Sequence, residues 1–447
     1  MLQLNDNTPI EDGHHLDRRN FLRIGGLTLG GLSLGQFMSL RAATPHIISK
    51  AQSVIYISLD GGPCHLDTFD PKPKAPIDYT GPYKTPVNSN VDGIQLCEKL
   101  PLLATIADKY TLIRSMSHGI FGHETAQYVT QTGAALGSAI AYPSFGATIA
   151  YMKESNYKGS CPPFITIPNS ASRFNEAGFL GPDYTAFATG GSPESPNFVA
   201  DGIGTGSITV EHITQRKSLL ESIDSFSKAF QSQEILSRMD LFTQKAWSLI
   251  LGNSKDAFNL NKESDKTRER YGKNRLGQSC LLARRLVEQG VPVITVRSGG
   301  WDTHKQHFER MDEKLPELDK ALSALISDLS ERGLLKNTIV ICGGEFGRTP
   351  KILYEPPWNG GRNHFGTAFS YLVAGGGFTG GKVLGATDFR GETVTERPVH
   401  PSELIATIYQ LLGIDFTASL PHPYLGTARI LPEWGKKGMG VLNEIIA

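Results

Sequence analysis

Three apolar runs in this chain each stop on groups that bind cations. Residues 54–59 end on Asp60, residues 291–296 lead to Asp302-Thr303-His304, and residues 338–342 lead to Glu345. Carboxylate oxygens and imidazole nitrogens are common ligands of divalent ions. β-Branched runs of this length read as buried parallel strands, because both faces of such a strand must be apolar. In open α/β sheets, ligands sit beyond the carboxyl ends of the strands. The spacing therefore predicts that Asp60, Asp302, His304 and Glu345 gather at one sheet edge as a divalent metal site. A single acidic residue after a strand more often caps a loop. Three such endings, with His364 between Gly-rich segments as a further ligand, favour the metal.

Two other segments carry chemistry. His123-Glu124-Thr125 stands at a helix start, where free N–H groups and the helix dipole favour an anion. Thr125 is there either a nucleophile or a cap, and His123 a ligand or a base. The stretch Gly344-Glu345-Phe346-Gly347-Arg348 puts a carboxylate and a guanidinium on one loop. They can pair with each other, or Arg348 can bind a phosphate or sulfate, whose geometry a guanidinium matches. His307, close after His304, adds one more imidazole.

Elements that position these groups can be read around them. Helices are expected from 100 to 109, from His123 towards Gly133, over 210–251, 269–290 and 309–332, and from Ser402 to Leu412. Further strands are expected at 111–114 and 369–374. Residues 67–83 must be irregular because Pro71, Pro73 and Pro76 break any ladder. Residues 160–206 read as a loop-rich insert of Gly, Pro and Ser. The segment Gly376 to Lys382 nearly spells a phosphate loop, but Val383 stands where its hydroxyl should be, so it reads as a Gly-rich turn. Beyond the leader no Gly-x-Ser-x-Gly elbow exists, which argues against a serine hydrolase triad.

The 447 residues carry 44 Lys and Arg against 44 Asp and Glu, with no basic block, so no nucleic-acid partner is expected. Five scattered cysteines without a Cys-x-x-Cys pair argue against a disulfide scaffold. Residues 1–48 read as a leader. Asp17-Arg18-Arg19-Asn20-Phe21-Leu22 before a weakly apolar, Gly-rich stretch resembles a twin-arginine export signal, implying the twin-arginine export machinery as a partner and a periplasmic or extracellular destination.

Taken in order, Leu59-Asp60-Gly61-Gly62-Pro63, Gly300-Trp301-Asp302-Thr303-His304, Gly344-Glu345-Phe346-Gly347-Arg348 and Asn363-His364-Phe365 resemble domain-of-unknown-function family 1501, within the alkaline phosphatase superfamily. The resemblance implies one alkaline phosphatase-like α/β domain over residues 49–435. It would have a mostly parallel central sheet with helices on both faces, followed by a tail over 436–447. It implies Asp60, Asp302, His304, Glu345 and His364 as metal ligands and places the nucleophile loop at His123 and Thr125. Arg348, with Arg114, would offset charge on the ester oxygens. The metal could be Zn, Ca, Mg or Mn, and the substrate a small-molecule or polysaccharide phosphate or sulfate ester. Phe346 stands where many members have a metal-binding His, and no Cys-x-Pro-x-Arg is present for formylglycine. These departures keep open a second function, that of a non-catalytic exported binding protein.

Overall fold

Strand β1 (Ser53–Leu59) is buried along its whole length. Its alternate side chains enter two different cores, as a strand with a period of two requires. Ile55, Ile57 and Leu59 face one core, while Val54 and Tyr56 face the other. The chain is described by a computed structural model over residues 47–135, 137, 140–169, 177–203, 249, 252–432 and 440–447. The contacts divide the chain after Ile47, and the fold described is that of Ile48–Ala447. The twin-arginine segment and the helix expected over 210–251 fall outside the described residues, apart from Leu249.

Seven more strands join β1: β2 (Tyr110–Met116), β3 (Phe164–Ile167), β4 (Phe187–Ala188), β5 (Val293–Ser298), β6 (Thr338–Gly343), β7 (Phe369–Ala374) and β8 (Lys382–Leu384). Their order is β8-β2-β7-β6-β1-β5-β3-β4. β1 pairs in parallel with β5 and β6, with Val54 level with Val293 and Ile339. Only β7 runs against its neighbours β2 and β6. β3 and β4 belong to the segment read as a loop-rich insert. They extend the sheet edge through β5, so that region is partly strand.

Helices cover both faces. On one side α3 (Asp265–Tyr271) and α4 (Arg275–Glu288) pack beside α5 (His307–Glu331), whose Leu315, Leu318, Leu322, Leu325 and Leu329 are buried in one stripe. The other side carries α2 (Phe145–Lys153) and α6 (Pro401–Leu411). Side-chain oxygens of Ser144 and Asn274 accept the first free N–H groups of α2 and α4, and His400 with Glu403 closes a capping box on α6. Where one helix was expected over 100–109, Pro101–Ala104 and Ala107–Lys109 form two short turns. α1 (His123–Thr132) ends on Gly133 at φ 68°, the left-handed stop that glycine adopts without strain. Its start, Gly122, provides no side-chain cap. Among the described residues no helix is long and apolar enough to cross a membrane.

The sheet's polarity gathers the loops that matter. The carboxyl ends of β1, β2, β5 and β6 lie at one edge, followed by Asp60, the loop to His123, the loop to Asp302 and His304, and Glu345. Because β7 is antiparallel, its amino end lies at that same edge, so a residue that precedes it is delivered there too. That residue is His364.

Candidate metal centre

Four side chains from two loops and the start of α1 meet above this edge. His123, Asp302 and His364 offer ligand atoms within 4.8 Å of one another. His304 Nε2 lies 3.0 Å from Asp302 Oδ1 and 2.9 Å from His364 Nε2. On the other carboxylate oxygen, His123 Nε2 lies 3.3 Å from Asp302 Oδ2.

What each imidazole does with its second nitrogen fixes the tautomers. His364 Nδ1 donates to the Phe121 carbonyl at 2.6 Å, His304 Nδ1 to the Asn363 side-chain oxygen at 3.0 Å, and His123 Nδ1 to Glu345 Oε1 at 2.5 Å. Oxygen acceptors behind Nδ1 leave the Nε2 lone pairs of the neutral rings pointing into one space, as in metal-ligating histidines. Two such lone pairs 2.9 Å apart repel unless a proton or a cation stands between them. His123 Nε2 is buried and lacks any hydrogen-bond partner. These residues fit a divalent ion.

Electrostatics agree. Partial desolvation would raise the Asp302 carboxyl pKa, but the Arg348 guanidinium beside it, with His304 and His123, outweighs that and holds it below the usual range. Burial lowers His364, which favours the neutral ring. The hydrogen bond to Glu345 raises His123 against its burial, so a cation entering here would take the place of a proton.

Glu345 therefore stands one step behind the cluster. Its buried carboxylate accepts the Gly61 N–H at 3.1 Å on both oxygens and grips His123 from behind. His118 Nε2 donates to the Glu345 carbonyl at 2.7 Å, fixing the loop. Gly61 and Gly62 lie at φ 113° and 83°, and a Cβ there would sit 2.3 Å from Asp302 N and 2.6 Å from the Phe346 ring. Their small size thus admits the loops that carry Asp302 and Glu345. Phe346 stacks on His364 at 4.7 Å and tilts against His123 at 4.9 Å between ring centroids. It is a wall for two of the imidazoles.

Three expected participants are engaged elsewhere. Asp60 accepts from Ser58 Oγ and pairs with Arg297, each at 2.5 Å. Arg348 is fully buried and donates to the carbonyls of Gly61, Gly62 and Arg362 as well as to Asp302 at 2.5 Å. Its guanidinium holds a cluster residue instead of facing an incoming anion. Arg114 donates to the carbonyls of Phe69 and Gln95, each at 2.8 Å, away from the cluster. Thr125 lies in the first turn of α1, its Oγ1 3.8 Å from where a Gly122 Cβ would be.

A buried support was missed. Asp67 pairs with Arg362 at 2.9 Å and with His307 Nε2 at 2.8 Å, and His307 Nδ1 meets Thr303 Oγ1 at 2.6 Å. His307 is therefore a strut under the Asp302–His304 loop. Asp67 sits in a Pro-rich stretch without periodicity, and nothing in the sequence links it to Arg362.

Comparison with solved structures finds the PsFucS1 sulfatase from Pseudoalteromonas sp., 12% identical with a TM-score of 0.38, over 85% of this chain and 70% of that one. It also finds the lipoteichoic acid synthase LtaP from Listeria monocytogenes, 10% identical with a TM-score of 0.35, over 83% and 75% of the two chains. A protein in the alkaline phosphatase superfamily from Vibrio parahaemolyticus is 11% identical with a TM-score of 0.37, over 83% and 68%. All three likenesses are distant, and the reading of the site rests on its own geometry. No curated protein matches the sequence. The family model described as Protein of unknown function (DUF1501) matches residues 51–430, and the chain belongs to that family.

Proposed function

We propose that this protein is a metal-dependent hydrolase of phosphate or sulfate esters. The observation that carries the reading is the set of three Nε2 atoms and one carboxylate aimed at a single space, each ring oriented by an oxygen behind it. His123, Asp302, His304 and His364 would hold the ion. A divalent ion so held supplies Lewis acidity toward an ester oxygen and lowers the pKa of water. Glu345 keeps the His123 ring in register, and Arg348 holds the Asp302 carboxylate ionised. The first N–H groups of α1, left without a side-chain cap, offer the anionic ester a place to bind.

The test is turnover of generic aryl phosphate and aryl sulfate esters by the purified protein loaded with Zn, Ca, Mg or Mn in turn. Thr125→Ala separates two forms of the reaction. With Thr125 as nucleophile the variant loses turnover and keeps its metal; with water as nucleophile it keeps most of its rate. No turnover with any of the four ions would leave the binding-protein reading standing.

The paired arginines support export in the folded state. Changing Arg18 and Arg19 to Lys should strand the protein in the cytoplasm, as read by cell fractionation. Normal export of that double variant removes the proposal.

A further inference from the structure

Next to the imidazole pair stand two aromatic residues that keep exposed surface. The indole of Trp358 is half buried and lies 5.8 Å from His304, inclined at 41°. Phe121, whose carbonyl holds His364, is 49% exposed. The Trp358 ring thus stands beside one of the two neighbouring imidazoles, Phe121 holds the other through its backbone, and both keep surface free for something else.

Trp358 is held in place before anything binds. It sits on a loop closed by Leu353 N donating to the Gly361 carbonyl at 3.0 Å and Gly360 N donating to the Leu353 carbonyl at 2.8 Å. The neck is tied down by buried Arg362, which reaches the carbonyls of Tyr79 and Thr349. Gly361 presses so close that a Cβ there would collide with the His304 carbonyl. A loop anchored at its neck and bare at its tip orients its aromatic at little entropic cost on binding.

We propose that Trp358 and Phe121 are stacking walls for a sugar ring, so that the ester reaching this centre is borne by a carbohydrate. This rests on the reading of the cluster as an ester-hydrolysing site. The occupant follows from the surroundings of the rings. Glu355 and Asn359 are exposed on the Trp358 loop and Lys305 and Gln306 on the His304 loop beside it, so donors and acceptors border the aromatic surface. A sugar ring has this mixed character: C–H faces that pack on an indole, and hydroxyls that bond at its edge. A fatty-acyl chain needs continuous apolar walls instead. An apolar cavity of that kind, lined by Tyr157, Phe164, Tyr184 and Phe187, opens at the amino ends of β3 and β4, away from this edge.

The experiment uses the metal-loaded full chain and its W358A and W358F variants. Binding of glucose 6-phosphate and galactose 6-sulfate is compared with that of methyl phosphate and methyl sulfate, by tryptophan fluorescence and calorimetry. W358A should weaken the sugar esters roughly tenfold while leaving the methyl esters and the metal content unchanged, and W358F should restore most of the loss. Should W358A lose its metal, F121A removes only an exposed ring and carries the same comparison. Equal affinity of sugar and methyl esters in the wild type, or an equal loss for both in the variant, overturns the proposal. So does preference for a long-chain alkyl phosphate. Sugar esters bound through Trp358 but never hydrolysed leave the stacking wall intact and defeat the hydrolase reading.

Discussion

His364→Ala is expected to empty the metal centre and to lower ester turnover by roughly 10³-fold or more, since several kcal/mol of charge stabilisation go with the ion. His364 Nε2 meets both His304 and Asp302, and its ring lies against His123 and Phe346, so it touches every other member of the cluster. Alanine removes one donor and also the ring that spaces the others. Metal content by elemental analysis and turnover should fall together, while circular dichroism stays unchanged because His364 precedes β7 and lies outside the two apolar cores. Full metal occupancy in the variant would refute the ligand assignment, whatever happened to the rate.

Arg362→Met should cost roughly 3–5 kcal/mol of stability, the usual result of leaving one member of a buried ion pair uncompensated. Asp67 and Arg362 have side chains 2% and 0% exposed, 2.9 Å apart. Burial would raise the Asp67 carboxyl, yet Arg362 and His307 hold it below the ordinary range. Removing the guanidinium leaves that carboxylate facing a dry interior, and it also unties the neck of the Trp358 loop. The denaturant midpoint should drop sharply. The double change Asp67→Leu with Arg362→Met should recover much of the loss, because two well-packed apolar groups carry no desolvation cost. A double variant no more stable than Arg362→Met alone contradicts the account.

The sheet edge was legible in the sequence because β-branched runs ending on acids are both a folding signal and a placement rule. β1, β5 and β6 lie side by side and deliver Asp60, Asp302 and Glu345 together. The direction of β7 was not legible. An apolar run such as Phe369–Ala374 looks the same read either way, yet its reversal is what brings His364 to the site. The exchange of places between His123 and Glu345 was hidden for a related reason. Two groups in contact are equally good ligands on paper, and only the Gly61 N–H beneath Glu345 shows which one faces inward. The strand Phe164-Ile165-Thr166-Ile167 did carry a signal, a short β-branched run, but surrounding Gly, Pro and Ser masked it. Asp67 and Arg362 left no trace, since a buried pair 295 residues apart has no local pattern.

The cluster's members are spread along the chain, at positions 123, 302, 304 and 364 of 447. A ribosome making this protein has released most of it before the final imidazole exists. That imidazole then reaches the others only when β7, which follows it, has inserted between β2 and β6. A chain that ends before β7 therefore presents at most a partial ligand set, and an ion held as proposed would be loaded late. An ion bound as proposed would be a certificate of completed synthesis and closure, and its chelation should leave the sheet that assembled the site intact.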